Sequence, residues 1–431
     1  MHLLEAASSM KPGWRERGEE VTRRHRPDYM ILLYTGILML LGLVVIYAIG
    51  PQRANVLNNS IGSNYSDSYF FIKQAVSLAL ALVAFGVMAS LPYTFITKHG
   101  MKVLVIGLAA CALLAIGGLA HLSIAPSTNG AIRWFDLGVF GSLQPAEIVK
   151  FGLLLYLAIF LGARVKEGAV NDIKKTLLPV GVVLGISLLF IVVIQKDLGT
   201  GIAMTLLVLT MLFIAGLHRK VGLVLLGVVL VAGIVFVVSA PHRLDRIATY
   251  LQGDNTSSTD ASGYQIQHAK IALGSGGLTG VGIGNSVEAT GYLPEAINDS
   301  VFAVMGETFG FIGLAALLAV LTALLLRLLK VMDHLVDIRL KLIVAGVFGW
   351  FGAHVILNIA AMLGIFPLTG ITLPLLSFGG TSMIFITAAL GLVFQLSRYT
   401  IHSSRIKESG HEDSGSRRRV GRTRYASRSG S

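Results

Sequence analysis

"MILLYTGILMLLGLVVIYA", residues 30–48, runs nineteen positions without a charged side chain. About 20 apolar residues in a helix, at 1.5 Å each, cross the ~30 Å hydrocarbon core of a bilayer. The run is too long for the apolar region of a secretory leader, and no small-residue cleavage pattern follows it. It reads as a membrane-crossing helix. The rest of the chain repeats the pattern at roughly 69–91, 103–124, 146–163, 177–194, 198–216, 221–240, 299–326, 342–364 and 374–397. Only "QKDLG" separates the fifth and sixth runs, so a re-entrant hairpin is the alternative there.

Composition agrees. The 431 residues are 54% hydrophobic and 13% charged, with mean hydropathy +0.73, where a soluble domain is about 25% charged. The predicted class is an all-α multipass membrane protein of about ten transmembrane helices, with a long outer loop (241–297) between spans seven and eight. A membrane domain over 30–397 is flanked by a cytosolic basic N-terminal tail (1–29) and a disordered basic cytosolic tail (398–431). Cys111 is the single cysteine, which excludes an intramolecular disulfide and a cysteine-based metal site.

The net charge is +12, and nine Lys/Arg against three Asp/Glu sit in 398–431. Such a run reads as a cytosolic tail beside anionic lipid rather than a nucleic-acid surface. Placing the N-terminus in the cytosol puts Lys98, Lys102, Arg164, Lys166, Lys174, Lys175, Arg219, Lys220, Arg327, Lys330, Arg339 and Lys341 in short cytosolic loops. Outer loops then hold only Arg53, Arg133, Lys196, Arg243, Arg246 and Lys270, as the positive-inside rule requires. Of the fifteen Asp/Glu in 30–397, all but Glu167, Asp172, Asp333 and Asp337 fall on the outer side. Chemistry is therefore expected on the outer face.

Four outer blocks carry it. "GYLPEAINDSVFAVMGETFG", 291–310, takes Glu295, Asp299 and Glu307 into an apolar run; an acid at a helix centre costs roughly 2.5–3.5 kcal/mol on insertion scales. Asn298 or Asp299 suits a helix N-cap, but a cap does not account for Glu307. An acid at the rim of a polar cavity fits a general base or metal ligand. "NGAIRWFDLGVFGSLQPAEIVK", 129–150, offers Arg133 and Trp134 for a headgroup boundary, Pro145 for a helix start, and Glu147 and Lys150 as an i, i+3 pair. "QKDLGTG", 195–201, sets Lys196 beside Asp197, itself a candidate cap. "GIFPLTGITLPLLSFGGTS", 364–382, breaks an apolar run with prolines, glycines and hydroxyls. Irregular backbone at membrane depth is tolerated only inside protein or along a wet cavity. In the long loop, 264–273 reads as an interfacial helix with Tyr264, Ile266 and Ile271 toward lipid. The glycines after it allow close backbone approach.

Together the blocks resemble the SEDS family of cell-wall polymerases, the group of FtsW, RodA and SpoVE, over about 30–397. The family's motifs appear as Arg133–Trp134 with Gln144, Pro145, Ala146, Glu147 and Lys150, and as Gln195–Thr200. They continue as Gly263, Tyr264 and Gln265 with Gly274–Gly277, as "YLPEAINDSVF", and as "LPLLSFGGTS". Ile297, Asn298 and Lys196 replace the family's usual residues, and its upstream basic residue is missing around Glu288–Ala289. The resemblance implies peptidoglycan glycosyltransfer on the outer face of the bacterial cytoplasmic membrane. Lipid II is the acceptor, and an undecaprenyl-pyrophosphate-linked glycan is the donor. It implies Asp299 as catalytic base. Arg133, Trp134, Gln144, Glu147, Lys150, Lys196, Asp197, Arg243, Arg246, Tyr264, Gln265, Glu295, Ser377, Gly379 and Gly380 would hold substrate or pyrophosphate. Mg²⁺ or Mn²⁺ is the expected ion, with Asp299 and Glu295 as candidate ligands. A class B penicillin-binding protein, other division or elongation membrane proteins and membrane lipid are the expected partners, and nucleic acid is not. "RRHRPDYMILL" favours a division-type, septal enzyme, whereas "PLTG" is closer to the elongation type. A lipid II flippase and a non-enzymatic division scaffold are the competing classes.

Overall fold

The computed structural model describes residues 26–127, 131–136, 138, 141–227 and 261–400. Helix α1 is Tyr29–Ile61, followed by α2 (Tyr69–Ser90), the short α3 (Tyr93–Lys98), α4 (Gly100–Leu119) and α5 (Pro145–Lys166). Next come α6 (Ile173–Ile194), α7 (Leu198–Ile214), α8 (Ala261–Ser275), α9 (Val301–His334), α10 (Ile338–Met362) and α11 (Gly380–Leu396). A two-stranded ribbon, β1 (Phe135–Asp136) on β2 (Ser142–Leu143), pairs Phe135 with Leu143 antiparallel. Eight of the helices among the described residues are long and apolar enough to cross a membrane, and α7 is a shorter apolar one. The run expected at 221–240 is helical to 227, where the described residues stop; the remainder and 241–260 lie outside them.

Local chemistry sets the ends. Asp28 caps α1 by accepting from Met30 N at 3.1 Å, and Pro145 opens α5 in the first turn. Asp197 caps α7 through Thr200 N at 3.0 Å. Without a hydrophobic drive between helices in lipid, close packing holds them together. Gly107 and Gly152 bring α4 against α5 so closely that an added Cβ at either would strike the partner's backbone. The inner helices are α10 and α11, while α2, α6 and α9 turn most of their apolar surface outward.

Two boundaries and one helix face differ from the sequence expectation. Helix α1 continues 13 residues beyond 48, through Pro51. Polar "PQRANVLNN" reads as loop, yet Gln52 Nε2 donates to Gly284 O at 3.3 Å and Arg53 pairs with Glu295 at 3.7 Å. The last helix begins only at Gly380, leaving 374–379 as irregular wall. In α8, Tyr264 and Ile266 are half-buried while Ile271 is exposed; the buried face is Ala269 and Ala272. The helix lies on protein through small residues rather than on lipid through large ones.

Helix α9 is broken. Gly310 has φ 67° and ψ −168°, a conformation open essentially to glycine alone. In a continuous helix, Phe311 and Ile312 would donate to Glu307 and Thr308. Instead Phe311 N donates to Gly277 O (2.9 Å) and Ile312 N to Leu278 O (3.1 Å). The freed Glu307 and Thr308 carbonyls accept from Val281 N (2.9 Å) and Gly282 N (3.1 Å). The glycine-rich loop is thus spliced into the helix, and all four groups are satisfied at membrane depth, as lipid demands.

An added Cβ at Gly310 would clash with Gly280 N and Leu278 O. Gly310→Ala should therefore destabilise the protein by at least about 2 kcal/mol. The readout is a clearly lower melting temperature in detergent, with Gly274→Ala, which has open space at its Cβ, unchanged.

Candidate active site

The carboxylate that sequence singles out sits in the turn just ahead of α9. The N-cap of α9 is Ser300, and its side chain makes no cap bond. Neither Asn298 nor Asp299 caps the helix: Asn298 donates its amide to Glu295, and Gln265 Nε2 donates to Asp299 Oδ1 at 3.2 Å and to Ser300 Oγ at 2.9 Å. Ser300 Oγ donates to Pro294 O at 2.9 Å, and Asn358 on α10 donates to the Asp299 carbonyl at 2.7 Å. The acid is therefore fixed from α8, from its own turn and from α10. Oδ2 keeps no side-chain donor among the described residues. Loss of water around it, and next the Glu295 charge, push the Asp299 carboxyl up to about 7. Glu295 itself has φ 50° and is held by Arg53.

Three further contacts join the outer blocks to one another. Arg133 donates to the carbonyls of Gln195 (3.3 Å) and Lys196 (2.6 Å), and Gln144 Nε2 donates to Asp197 Oδ2 at 3.1 Å. Thr381 at the start of α11 donates to Ser142 O at 2.5 Å and receives Gln144 N at 3.4 Å. Beneath lies a buried polar knot: Lys150 Nζ contacts Glu147 Oε1 at 2.8 Å, His354 Nε2 at 3.2 Å and the Trp350 ring at 5.0 Å. An ammonium only donates, so His354 Nε2 accepts and the ring proton sits on Nδ1. His354 and Asn358 lie one turn apart on α10. Asn358 Nδ2 also reaches Ile371 O at 2.7 Å, and Phe378 N donates to Ile297 O at 2.8 Å. The 364–379 wall is strapped to both the knot and the acid.

Not every expected residue is open to solvent. Lys150 is fully buried, so its charge acts from inside rather than by open contact. Ser377 is buried and spends its hydroxyl on Leu373 N at 2.9 Å. The Tyr264 ring lies tilted by 40° against His268 (4.1 Å between centroids), which binds Glu288 Oε2 at 2.7 Å. Trp134 is half-buried, and Gly379–Gly380 open α11 with Gly379 extended. Arg243 and Arg246 lie outside the described residues. Among the described residues, Glu147 Oε2 and Asn358 Oδ1 are buried without a hydrogen-bond partner. Arg53, Asn358 and His354 were missed from sequence; two polar residues four apart in an apolar run were the available signal for the last two.

A family model described as "Cell cycle protein", that of FtsW, RodA and SpoVE, matches residues 28–402. The chain belongs to the FtsW, RodA and SpoVE family. Stage V sporulation protein E of Bacillus subtilis is 31% identical over 88% of the chain and 99% of that protein. A probable peptidoglycan glycosyltransferase FtsW of Aliivibrio salmonicida is 36% identical over 76% and 80%. Among solved structures, one described as the structural coordination of polymerization and crosslinking by a peptidoglycan synthase complex aligns with TM-score 0.66, 26% identity and 86% and 98% coverage. The rod shape determining protein RodA of Thermus thermophilus aligns with TM-score 0.62 over 88% and 98%, at 24% identity, a likeness of fold. The FtsW, RodA and SpoVE match spans all four blocks and both sides of the α9 break.

Glu307, whose purpose sequence leaves open, is a clamp. Its Oε2 accepts from Ser286 Oγ (2.5 Å) and Glu288 N (3.3 Å), and Oε1 from Val287 N (2.8 Å). It ties the spliced loop down three residues before the break. Glu307→Gln turns one acceptor into a donor facing donors. The expected cost is roughly 1.5–3 kcal/mol, seen as a lower melting temperature and faster proteolysis at 276–290. A wild-type melt would refute the clamp.

Proposed function

We propose that the chain is a peptidoglycan glycosyltransferase of the septal, FtsW type. Its relatives of 31–36% identity carry the FtsW and SpoVE names. The observation that carries the reading is Asp299: an acid at a membrane-rim turn that caps nothing, is held by Gln265, and has its proton affinity raised toward neutrality. A general base is most effective when its pKa lies near the working pH.

The chemistry follows from the acid. The 4-hydroxyl of the acceptor GlcNAc in lipid II attacks C1 of the undecaprenyl-pyrophosphate-linked glycan. The O4–C1 bond forms as the bond from C1 to pyrophosphate breaks. The hydroxyl proton passes to Asp299, with Gln265 holding Oδ1 and so aiming Oδ2. One displacement inverts the α-linked donor to a β-1,4 product, so no second carboxylate nucleophile is needed. Arg133 lies beside Lys196 at the rim and, with the buried Lys150 behind, provides positive charge for the departing pyrophosphate. Asp299 and Glu295 are the pair to hold a divalent cation. Their mutual repulsion would fall with Mg²⁺ or Mn²⁺ between them, and one or two carboxylates plus substrate phosphates are how Mg²⁺ is usually held. When bound, the ion supplies charge against the pyrophosphate.

We place this face outside the cytoplasmic membrane and both termini in the cytosol, on the distribution of Lys and Arg. Crosslinking falls to a class B penicillin-binding protein, a partner supported by the synthase-complex likeness. Reporter fusions at Gly168 and Asp337 should read cytosolic and one at Asn64 external; the reverse pattern would overturn the orientation.

Asp299→Asn should lower glycan synthesis from lipid II at least about 10²-fold, with a melting temperature equal to or above wild type. The sign follows from the raised pKa: the folded state favours the protonated acid, so its stabilising contribution is lost as pH rises through about 7, and Asn removes that loss. As base, Asp299 must be ionised. kcat/KM should therefore climb through about 7 and level off above it, and Glu295→Gln, by deleting the neighbouring charge, should move the rise to lower pH. An Asp299→Asn protein that still polymerises at the wild-type rate would end the assignment.

A further inference from the structure

The end of the bundle opposite Asp299 holds a cavity of about 310 Å³ where the membrane domain begins and ends. It lies between the start of α1, the last turns of α9 and the turn after α11. Its lining includes Arg26, Asp28, Tyr29, Arg327, Lys330 and His334. The volume is at the lower end of the ~300–1,000 Å³ typical of small-molecule sites.

The walls are built rather than slack. Asp28 N donates to Ser397 Oγ at 2.8 Å, Arg327 Nε donates to Asp28 Oδ2 at 2.5 Å, and Leu335 forms a β-bridge with Thr400. Asp28 is the only acid among the lining residues, set against Arg26, Arg327 and Lys330. Its carboxylate takes one edge of a guanidinium that carries five N–H donors. Arg26 and Lys330 are exposed at the mouth. The cavity therefore keeps a positive excess fitted to a phosphate.

The rim adds a second requirement. Tyr29 and Met30 are 59% and 45% exposed, Leu33 and Leu326 51% and 59%. These apolar side chains run from the mouth along α1 and α9 into the membrane-crossing part. Tyr29 sets its ring edge-on to Phe394, 5.7 Å between centroids. An aromatic ring with a polar tip beside cations is the composition of a membrane–water boundary. A soluble anion would need the cations alone. An amphiphile uses both features.

We propose that this cavity seats the phosphate headgroup of an anionic phospholipid, with its acyl chains along the exposed faces of α1 and α9. Under the orientation proposed above, it is a lipid of the cytosolic leaflet.

The test is lipid binding by the full-length protein, purified in neutral detergent and titrated with phosphatidylglycerol or phosphatidylcholine under native mass spectrometry. Wild type should prefer phosphatidylglycerol. Arg26→Ala with Lys330→Ala should weaken that binding about fivefold per cation, or about 25-fold for the pair. The control pair Lys98→Ala with Lys102→Ala, basic residues on either side of the α3–α4 junction, should leave it unchanged. The Asp28–Arg327 pair stays intact in all of these, and Lys330→Gln alone, at an exposed position, gives a second variant whose melt should match wild type. Equal retention of the two lipids, a double variant no weaker than the control pair, or inorganic phosphate binding as tightly as the lipid would each overturn the proposal. No glycan synthesis enters this readout. Loss of Asp299 activity or a reversed topology would sink the earlier reading while leaving the binding result standing.

Discussion

A backbone N–H or C=O facing lipid without a partner costs several kcal/mol, and this fold spends its most unusual geometry meeting that constraint at one place. The break at Gly310 frees two donors and two acceptors, and the 277–282 segment takes up all four. The break lets the first ten residues of α9 leave the line of the rest. It also makes a loop a structural part of a membrane helix. Gly276, Gly280 and Gly310 are glycines because any Cβ there would occupy the partner's backbone. Asp299 stands at the head of the short piece so produced. Its position is thus set by the splice as much as by its own turn.

The remaining supports reach the same acid from different helices. Gln265 comes from α8, whose C-terminal end leads directly into the spliced loop. Asn358 comes from α10, the most buried long helix. One turn away on α10, His354 receives Lys150, and Lys150 is held by Glu147 on α5. A buried ion pair is weak evidence for stability, but a pair completed by a third side chain fixes the rotation and height of two helices relative to each other. On this reading the Glu147–Lys150–His354 knot registers α5 against α10. Through Asn358, that register is passed to the carbonyl of Asp299. The chemistry and the packing are therefore not separable at this end of the bundle.

Much of this was legible in the sequence. The apolar runs gave the helices, since a span of about 20 apolar residues has few other solutions in lipid. The Glu147–Lys150 pair and the Asp197 cap could be read from spacing, whereas Asp299 stood out only as an acid entering an apolar run and its role came from the family resemblance. Helix α1 beyond residue 48 was not legible, because its polar turns are stabilised by Gly284, Ser286 and Glu295, more than 200 positions away in the chain. The purpose of Glu307 was not legible for the same reason: its partners are backbone amides, which carry no sequence signal. The internal bond of Ser377 was not legible either: its hydroxyl oxygen accepts from Leu373 N within the wall, a backbone partner that carries no sequence signal.

The location of the acid also answers why a carboxylate is tolerated at the membrane rim. Deeper in the bundle Asp299 would require a paired cation to ionise, and a tightly paired carboxylate is a poor proton acceptor. Fully in water its pKa would stay near 4, too low to draw a proton from a sugar hydroxyl with useful driving force. The turn before Val301 lies between these limits. Withdrawal of water and the Glu295 charge raise its affinity for a proton, while the amide of Gln265 keeps the ionised form within reach. Arg53 pairs with Glu295 at 3.7 Å and not with Asp299. Burial is thus the larger cause of the raised proton affinity of Asp299, and the Glu295 charge the second.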